Sequence, residues 1–553
     1  MSTTIDAKPP FNEKESYDDS KEAQVEVNEV GAADNVVAEG EYTQEQYDKL
    51  KRKIDMYLLP LMWLCYGIQQ TDKTAVAQGT MANFGLRQNT GLVGQQYSWL
   101  TTIFYITYMC CEFPSNFLLQ RWRMGKTLSI YMICWGIIVM CIGFANNFSQ
   151  LAALRALQGI AECCISPGFI LVIGSWYTTR EHASRALVFQ SANAGFGIVS
   201  DLILYGIGSV QNSRPEFQSW RAMAWFLGGL TVVVGILCLL VLGTPSEVPW
   251  LTPEEKRMAN ARIVANQSGH DRTGHSWKWY QVREAVTDPV FWLSGANAFL
   301  SSVPNGGLTT FGSIINSSFG FTPLQVIIYG IPRNVTSVLI FVVVGVVTMR
   351  RKNLRTIIMA MACIPPFISF LGLTLVPTTP HNRWTKWGLY YMSVPFVLGM
   401  FLAWTLIPSN IPGRTKRTVT SSFTFVMYCV GNMVGSQIFR SQDAPKYIPG
   451  ITGACVCFGL EFLVICAWRA TYIIRNRRRD REVANDGLTP EEREHLGKLN
   501  GEKDMTDFEN RYDVPSTWND TEDFTGTTHV MAWNCSAGIL YLSVVTEVAC
   551  NHR

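Results

Sequence analysis

Arg155, Gln158, Gly159 and Glu162 stand at offsets 0, 3, 4 and 7 inside one apolar run, LAALRALQGIAECCISPGFILVIGSWY, residues 151–177. At 100° per residue a single helical stripe carries all four. A charge at bilayer depth costs roughly 3 kcal/mol on insertion scales, so it persists only when paired or turned toward water. A cation, an amide and a carboxylate on one face, with a glycine for close approach, describe a polar pathway through a helical bundle. The competing reading is a structural ion pair that only pins two helices. Any proton relay must use carboxylates, because none of the seven histidines lies in an apolar run. Pro167 is expected to interrupt the helix about one turn further on, which membrane helices tolerate when neighbours satisfy the freed carbonyl.

The elements that must position this stripe are long apolar runs. Twelve candidate spans lie near 54–71, 97–118, 127–145, 151–177, 185–209, 221–243, 289–315, 324–348, 355–376, 387–409, 419–440 and 451–474. Each is close to the roughly 20 residues needed to cross about 30 Å of hydrocarbon. The 553 residues are 48% hydrophobic and only 16% charged, against about 25% charged in soluble domains, so length alone is a poor guide to domain count. The first 50 residues are polar and acid-rich, and no cleavable signal peptide is visible in them. The fifteen cysteines are odd in number, lie mostly inside the spans and lack disulfide-framework spacing. No histidine partners them as a zinc ligand, so neither metal nor cofactor is expected, and the cysteines read as small packing residues. No His/Asp cluster or thiol–imidazole pair appears in any loop, which argues against an enzyme. The expected surroundings are a lipid bilayer, with no nucleic-acid partner.

Charge placement orients the spans. Lys49, Lys51, Arg52 and Lys53 precede the first span, and basic residues recur after spans 2 (Arg121, Arg123, Lys126), 4 (Arg180, Arg185), 8 (Arg350, Arg351, Lys352, Arg355), 10 (Arg414, Lys416, Arg417) and 12 (Arg475, Arg477, Arg478, Arg479). The intervening loops are poorer in positive charge. Positive residues flank cytoplasmic ends, so both termini are expected in the cytoplasm. The expected organisation is a disordered acidic tail (1–50, with Lys8, Lys14 and Lys21 as modification candidates), six spans (51–243), a cytoplasmic loop with a short helix (244–286), six spans (287–474) and a cytoplasmic tail (475–553). Thr252-Pro253-Glu254-Glu255 carries a helix-start signature, and Thr489-Pro490-Glu491-Glu492 repeats it after span 12. The turns at 116–121 and 345–350 also echo one another. Asn316-Ser317-Ser318 fits the glycosylation pattern on an outward loop. The last 25 or so residues, after about residue 525, are apolar and unlike the acidic stretch before them, and are expected to be read-through rather than working sequence.

Two six-span halves with an Arg-bearing turn after spans 2 and 8 resemble the major facilitator superfamily. Gln120 stands where that family has Asp, while Arg121, Gly125 and Lys126 agree. Span 5 lacks the Gly-Pro signature of its drug antiporters, which argues against efflux. Within the superfamily, the chain is similar to the fungal allantoate permeases of the anion:cation symporter branch. The residues that carry this are Tyr66-Gly67-Ile68-Gln69 with Asp72-Lys73, Leu92-Val93-Gly94-Gln95-Gln96-Tyr97-Ser98-Trp99, Glu112-Phe113-Pro114-Ser115-Asn116, Trp176-Tyr177-Thr178, Asn305-Gly306-Gly307-Leu308-Thr309, Gly431-Asn432 and Ala444-Pro445-Lys446-Tyr447. Arg155-x-x-Gln158-Gly159-x-x-Glu162-x4-Pro167 also resembles a span-4 motif of animal organic-anion carriers. Family members end soon after a motif like Asp507-Phe508-Glu509-Asn510.

The resemblance implies an all-α membrane fold of twelve helices and a proton-coupled symporter of a small, carboxylate-bearing, nitrogen-containing metabolite at the fungal plasma membrane. It places spans 1, 4, 7 and 10 around the cavity. Arg155, Gln158, Arg333, Asn305 and Trp404 are the expected substrate contacts, and Glu162 with Glu112 the expected proton-coupling groups. Arg333 lies about 14 Å into span 8 at 1.5 Å per residue, near the midplane. Glu461 in outermost span 12 is expected to bond helix to helix. Asp72 with Lys73, and Asp201, stand near span ends, where solvation competes with function. A non-transporting nutrient receptor of the same fold is the alternative, separated by an uptake measurement.

Overall fold

The computed structural model describes residues 42–77, 80–177, 192–267, 277–350, 354–444, 446–483, 492 and 505–510. Lys8, Lys14, Lys21, Arg180, Arg185, Arg351, Lys352, Thr489 to Glu491 and the final apolar segment lie outside them. The described chain is helical, with no strand. Its longer helices are α1 (Gln44–Ala77), α2 (Gln96–Arg121), α3 (Met124–Ile142), α4 (Phe148–Glu162), α5 (Ile165–Trp176), α6 (Ala192–Ser213), α7 (Ser219–Val241), α8 (Pro253–Gln267), α9 (Trp279–Thr287), α10 (Pro289–Ser318), α11 (Pro323–Arg350), α12 (Arg355–Leu375), α13 (Arg383–Met392), α14 (Val397–Asn410), α15 (Arg414–Ile438) and α16 (Ile448–Val483).

Among the described residues, seven stretches are long and apolar enough to cross a membrane: Met124–Ile142, Phe148–Ile173, Ser219–Val241, Pro323–Gly345, Arg355–Leu375, Pro380–Ile407 and Ile448–Arg479. The other five expected spans fall on α1, α2, α6, α10 and α15. Polar side chains turned inward lower the hydropathy of these helices. Asp72 in α1, Thr101 and Thr102 in α2, Asn297 in α10 and Asn432 in α15 are all buried. All five also carry contacts between the amino-terminal and carboxyl-terminal helices, α2 with α15, α10 with α1 and α6 with α11.

Local chemistry sets the helix ends. Asn147 accepts from the Gln150 amide at 2.9 Å to start α4, and Asp288 accepts from the Val290 amide at 2.8 Å, ahead of Pro289, to start α10. Thr252 and Glu255 form the reciprocal box that the sequence signals, with bonds of 2.9 and 3.2 Å, and α8 follows. Two expected spans are broken helices. The run 151–177 parts at Cys163 and Cys164, because Pro167 has no amide to bond back and its ring crowds the carbonyl four residues earlier. Pro395 parts α13 from α14 in the same way. α9 is a second helix in the 244–286 stretch, beyond the one expected. Asn316, expected on a loop, sits in the last turn of α10.

One side of the bundle carries α8, α9 and residues 505–510, and is called here the tail side. Lys53 of α1 bonds Glu255 of α8 there, at 2.7 Å. Tyr57, Trp250 and Trp176 stack in series, with centroids 4.8 and 5.3 Å apart, and the Trp176 ring nitrogen donates to the Gly243 carbonyl. On the opposite, far side, α2 and the short turns before it meet α10 and α15.

Candidate functional site

The polar stripe is held where α4 crosses α2. A Cβ at Gly159 would stand 2.2 Å from Thr107 Oγ1 and 2.5 Å from the Phe104 carbonyl oxygen, so only glycine allows the approach. That crossing buries Arg155 to 2% exposure, and Gln158 and Glu162 completely. Arg155 Nη1 donates to Gln158 Oε1 at 2.7 Å, and Nε donates to the Leu100 carbonyl at 3.4 Å. Its guanidinium lies 4.9 Å over the Phe104 ring, a cation–π contact. Glu162, two turns along, is within electrostatic reach of Arg155.

Asp72 joins this group. It is fully buried, its Oδ2 accepts from Thr231 of α7 at 3.1 Å, and Glu162 is within electrostatic reach. Solvation at the end of span 1 is therefore ruled out for Asp72; the side chain of Lys73 lies outside the described residues. The group thus holds one guanidinium and two carboxylates. Glu461 is also fully buried, against α14 and away from the stripe. A Cβ at Gly399 would meet its carboxylate at 2.3 Å.

Between the stripe and the carboxyl-terminal helices runs an aromatic belt that sequence reading missed. Phe104 packs on Tyr105 and Tyr108, Tyr105 on Tyr428 (6.2 Å), Tyr108 on Phe425 (5.9 Å), and Tyr428 on Trp404 (5.7 Å). Its signal was present as aromatics spaced i, i+3 in both α2 (105, 108) and α15 (425, 428), a pattern that also fits plain core. Asn305 belongs to the belt's edge: its Nδ2 donates to Asn432 Oδ1 at 2.8 Å, and Asn432 donates to the Tyr428 carbonyl.

Below the belt, α2 and α15 diverge toward the tail side around a cavity of about 230 Å³. Glu112 and Asn116 line it from α2, Trp404 from α14, and Ser421, Ser422 and Phe425 from α15. Above the belt the same two helices close. Thr102 and Ser436 share a bond of 3.1 Å, Gln437 donates to Thr102 at 2.8 Å, Thr310 donates to Thr101 at 3.3 Å, and Asn83 donates to Ser313 at 2.9 Å. Asn334 of α11 donates to Asp201 of α6 at 3.0 Å, so Asp201 is a contact between helix groups.

The expected site residues therefore fall in four places. Arg155, Gln158 and Glu162 lie together behind the belt, while Glu112 and Trp404 share the tail-side cavity, with Asn305 at the belt's edge. Arg333 stands apart. It lines a smaller far-side cavity of about 90 Å³ with Asp201, Asn334 and Tyr390, and its guanidinium lies 4.9 Å over the Tyr390 ring.

A helical bundle bonded shut on one side, with a cavity on the other and charge buried at its centre, has the architecture of a secondary transporter. Residues 62–436 match the Major Facilitator Superfamily. A bacterial homologue of the human lysosomal transporter Spinster, crystallised facing inward, superposes with a TM-score of 0.54 at 15% identity, covering 76% of this chain and 96% of that one. The nucleoside transporter NupG gives 0.56 at 10% identity, covering 74% and 99%. An uncharacterised transporter of Schizosaccharomyces pombe is 31% identical over 87% of this chain and 92% of its own. The allantoate permease of Saccharomyces cerevisiae is 30% identical (85% and 86%), and its thiamine pathway transporter THI73 28% (85% and 86%). The chain belongs to the major facilitator superfamily, within its allantoate permease-like family.

Proposed function

We propose that this transporter imports a small organic anion together with protons, by rocking two six-helix halves, 51–243 and 287–474, around the aromatic belt. The tail side is the cytoplasm, both termini lie there, and the membrane is the plasma membrane. The arrangement described is then the inward-open state. The observation that carries the reading is the buried group of Arg155, Glu162 and Asp72 behind a belt that faces a tail-side cavity. A guanidinium fork suits a carboxylate, and Gln158 already holds Arg155 in place. One cation against two carboxylates is balanced by a single proton. An incoming carboxylate that engages Arg155 adds a negative charge, which a second proton offsets, and uptake becomes coupled to protons. Arg333 serves as a second carboxylate contact in the far-side cavity, met before the central one. Allantoate, ureidosuccinate, a dipeptide or a carboxylate vitamin fits this chemistry, and the similarity to an allantoate permease supports the first.

A competition panel decides the class. Radiolabelled allantoate uptake is measured in a transport-deficient strain expressing the chain, against excess ureidosuccinate, nicotinate, pantothenate and a dipeptide. Acid-stimulated uptake blocked by one or more carboxylates is expected. Surface-expressed protein with no uptake of any of them overturns the reading.

A further inference from the structure

Residues 505–510 are folded onto the tail side rather than trailing from α16. Thr506 N donates to Glu509 Oε2 at 3.0 Å, and Asn510 N donates to the Thr506 carbonyl at 2.8 Å, making one compact turn. That turn is inserted among charges from four helices. Lys416, in the first turn of α15 and 1% exposed, has its Nζ 2.8 Å from Glu284 of α9, 3.0 Å from Asp288 at the start of α10 and 2.5 Å from Asp507. Arg475 of α16 bonds Asp288 at 2.5 Å and Asp507 at 3.3 Å, and Arg479 donates to the Asp507 carbonyl oxygen at 2.7 Å. The Phe508 ring lies 4.3 Å from Lys416 Nζ and 5.3 Å from the Arg475 guanidinium. Thr506, fully buried, donates to Glu284 at 2.8 Å and fills the space where a Cβ on Gly413 would meet its methyl at 2.9 Å. Gly413, at φ +85°, is the turn that starts α15.

The position of α15 matters most to the cavity. Ser421, Ser422 and Phe425, which line it, lie within three turns of Lys416 on the same helix. Three cations, Lys416, Arg475 and Arg479, face three carboxylates, Glu284, Asp288 and Asp507, and the Asp507 carboxylate pairs with all three cations. We infer that Asp507 is a positioning residue of the transport cycle: by docking 505–510 it joins the tail-side ends of α9, α10, α15 and α16 into one body and sets where the cavity-lining turns of α15 stand. The inference rests on the alternating-access reading, in which α15 must move with its half to close the cavity.

The test uses the full-length protein in lipid nanodiscs, with hydrogen–deuterium exchange as the first readout. Asp507→Asn is expected to speed exchange roughly tenfold in 414–425 and 279–288, leaving the far-side contacts at 95–102 unchanged. Asp507→Glu restores most of the protection, and Glu482→Gln, which removes an exposed carboxylate of α16, changes nothing. Allantoate uptake per surface molecule is the second readout. Its Vmax is expected to fall about fivefold with KM nearly kept, because Arg155 lies elsewhere. A chain ending at Asn510 should match the full chain, and one ending at Asp504 should match Asp507→Asn. Unchanged exchange in 414–425 for Asp507→Asn overturns the inference. If the full chain carries none of the panel of carboxylates, the substrate reading fails, while the exchange readout still decides on Asp507.

Discussion

At the scale of single residues, the group behind the belt separates two roles for Glu162. If Glu162 carries the proton, Glu162→Gln keeps shape and hydrogen bonding but removes the titration. Net uphill uptake should then fail, while exchange of internal for external substrate persists. As a purely structural partner of Arg155, its loss leaves a buried charge uncompensated, which costs about 3–5 kcal/mol, and expression should fall first. A well-expressed Glu162→Gln protein that accumulates substrate with unaltered pH dependence removes Glu162 from the mechanism. Arg333→Ala should raise KM, with Arg333→Lys restoring part of the affinity, whereas unchanged KM in both assigns Arg333 to its stacking on Tyr390. The stripe itself was legible because charge inside an apolar run is costly wherever the run sits. The burial of Asp72 was not, since a carboxylate near a span end satisfies the same sequence pattern whether it faces water or Thr231.

At the scale of elements, the crossing of α2 and α4 hangs on Gly159. Gly159→Val would press two methyls against Thr107 and the Phe104 carbonyl. A loss of about 1–3 kcal/mol is expected from overpacking, read as a lower melting temperature of the purified protein. Thr107→Ala, which removes the clashing hydroxyl, should not rescue it, because the backbone carbonyl stays; full rescue would show the limit is side-chain contact alone. Helix positions followed from apolar runs, but the breaks at Cys163–Cys164 and at 393–396 were only partly legible. A proline states that a bond is lost and leaves open whether the helix kinks or restarts. α9 escaped notice because nine residues, about two and a half turns, are too short to display a long apolar face. The docking of 505–510 escaped as well, since acid-rich sequence ordinarily signals solvated chain and here is satisfied only by cations from distant helices.

At the scale of the whole molecule, the tail-side ion pairs are set to withstand mild acid. Burial alone would raise Asp288, yet the bonds from Arg475 and the charge of Lys416 outweigh it and hold it below the ordinary carboxylate range. Glu255, also raised by burial, is likewise brought below that range by Lys53. The stability that each contributes is present above the unfolded value of about 4 and disappears only as pH falls through the lower folded value. These two tail-side pairs should therefore persist between pH 7.5 and 5. Uptake rising over that window would then report the membrane-embedded carboxylates. A melting temperature steady to within about 5 °C across the window is expected, and a steep fall would show that the tail-side pairs titrate there.

The far-side seal is built almost wholly from hydroxyls and amides, Thr101 with Thr310, Thr102 with Ser436 and Gln437, and Asn83 with Ser313. Dissolved ions screen charge pairs over a Debye length of about 8 Å at 0.15 M but leave neutral hydrogen bonds nearly untouched. The side that we place toward the surroundings, where brine or rainwater can arrive within minutes, is thus fastened by joints that salinity does not loosen. A joint that salinity can reach, the part-exposed pair of Lys53 and Glu255, stands on the tail side, which we place toward the cytoplasm and its regulated electrolyte.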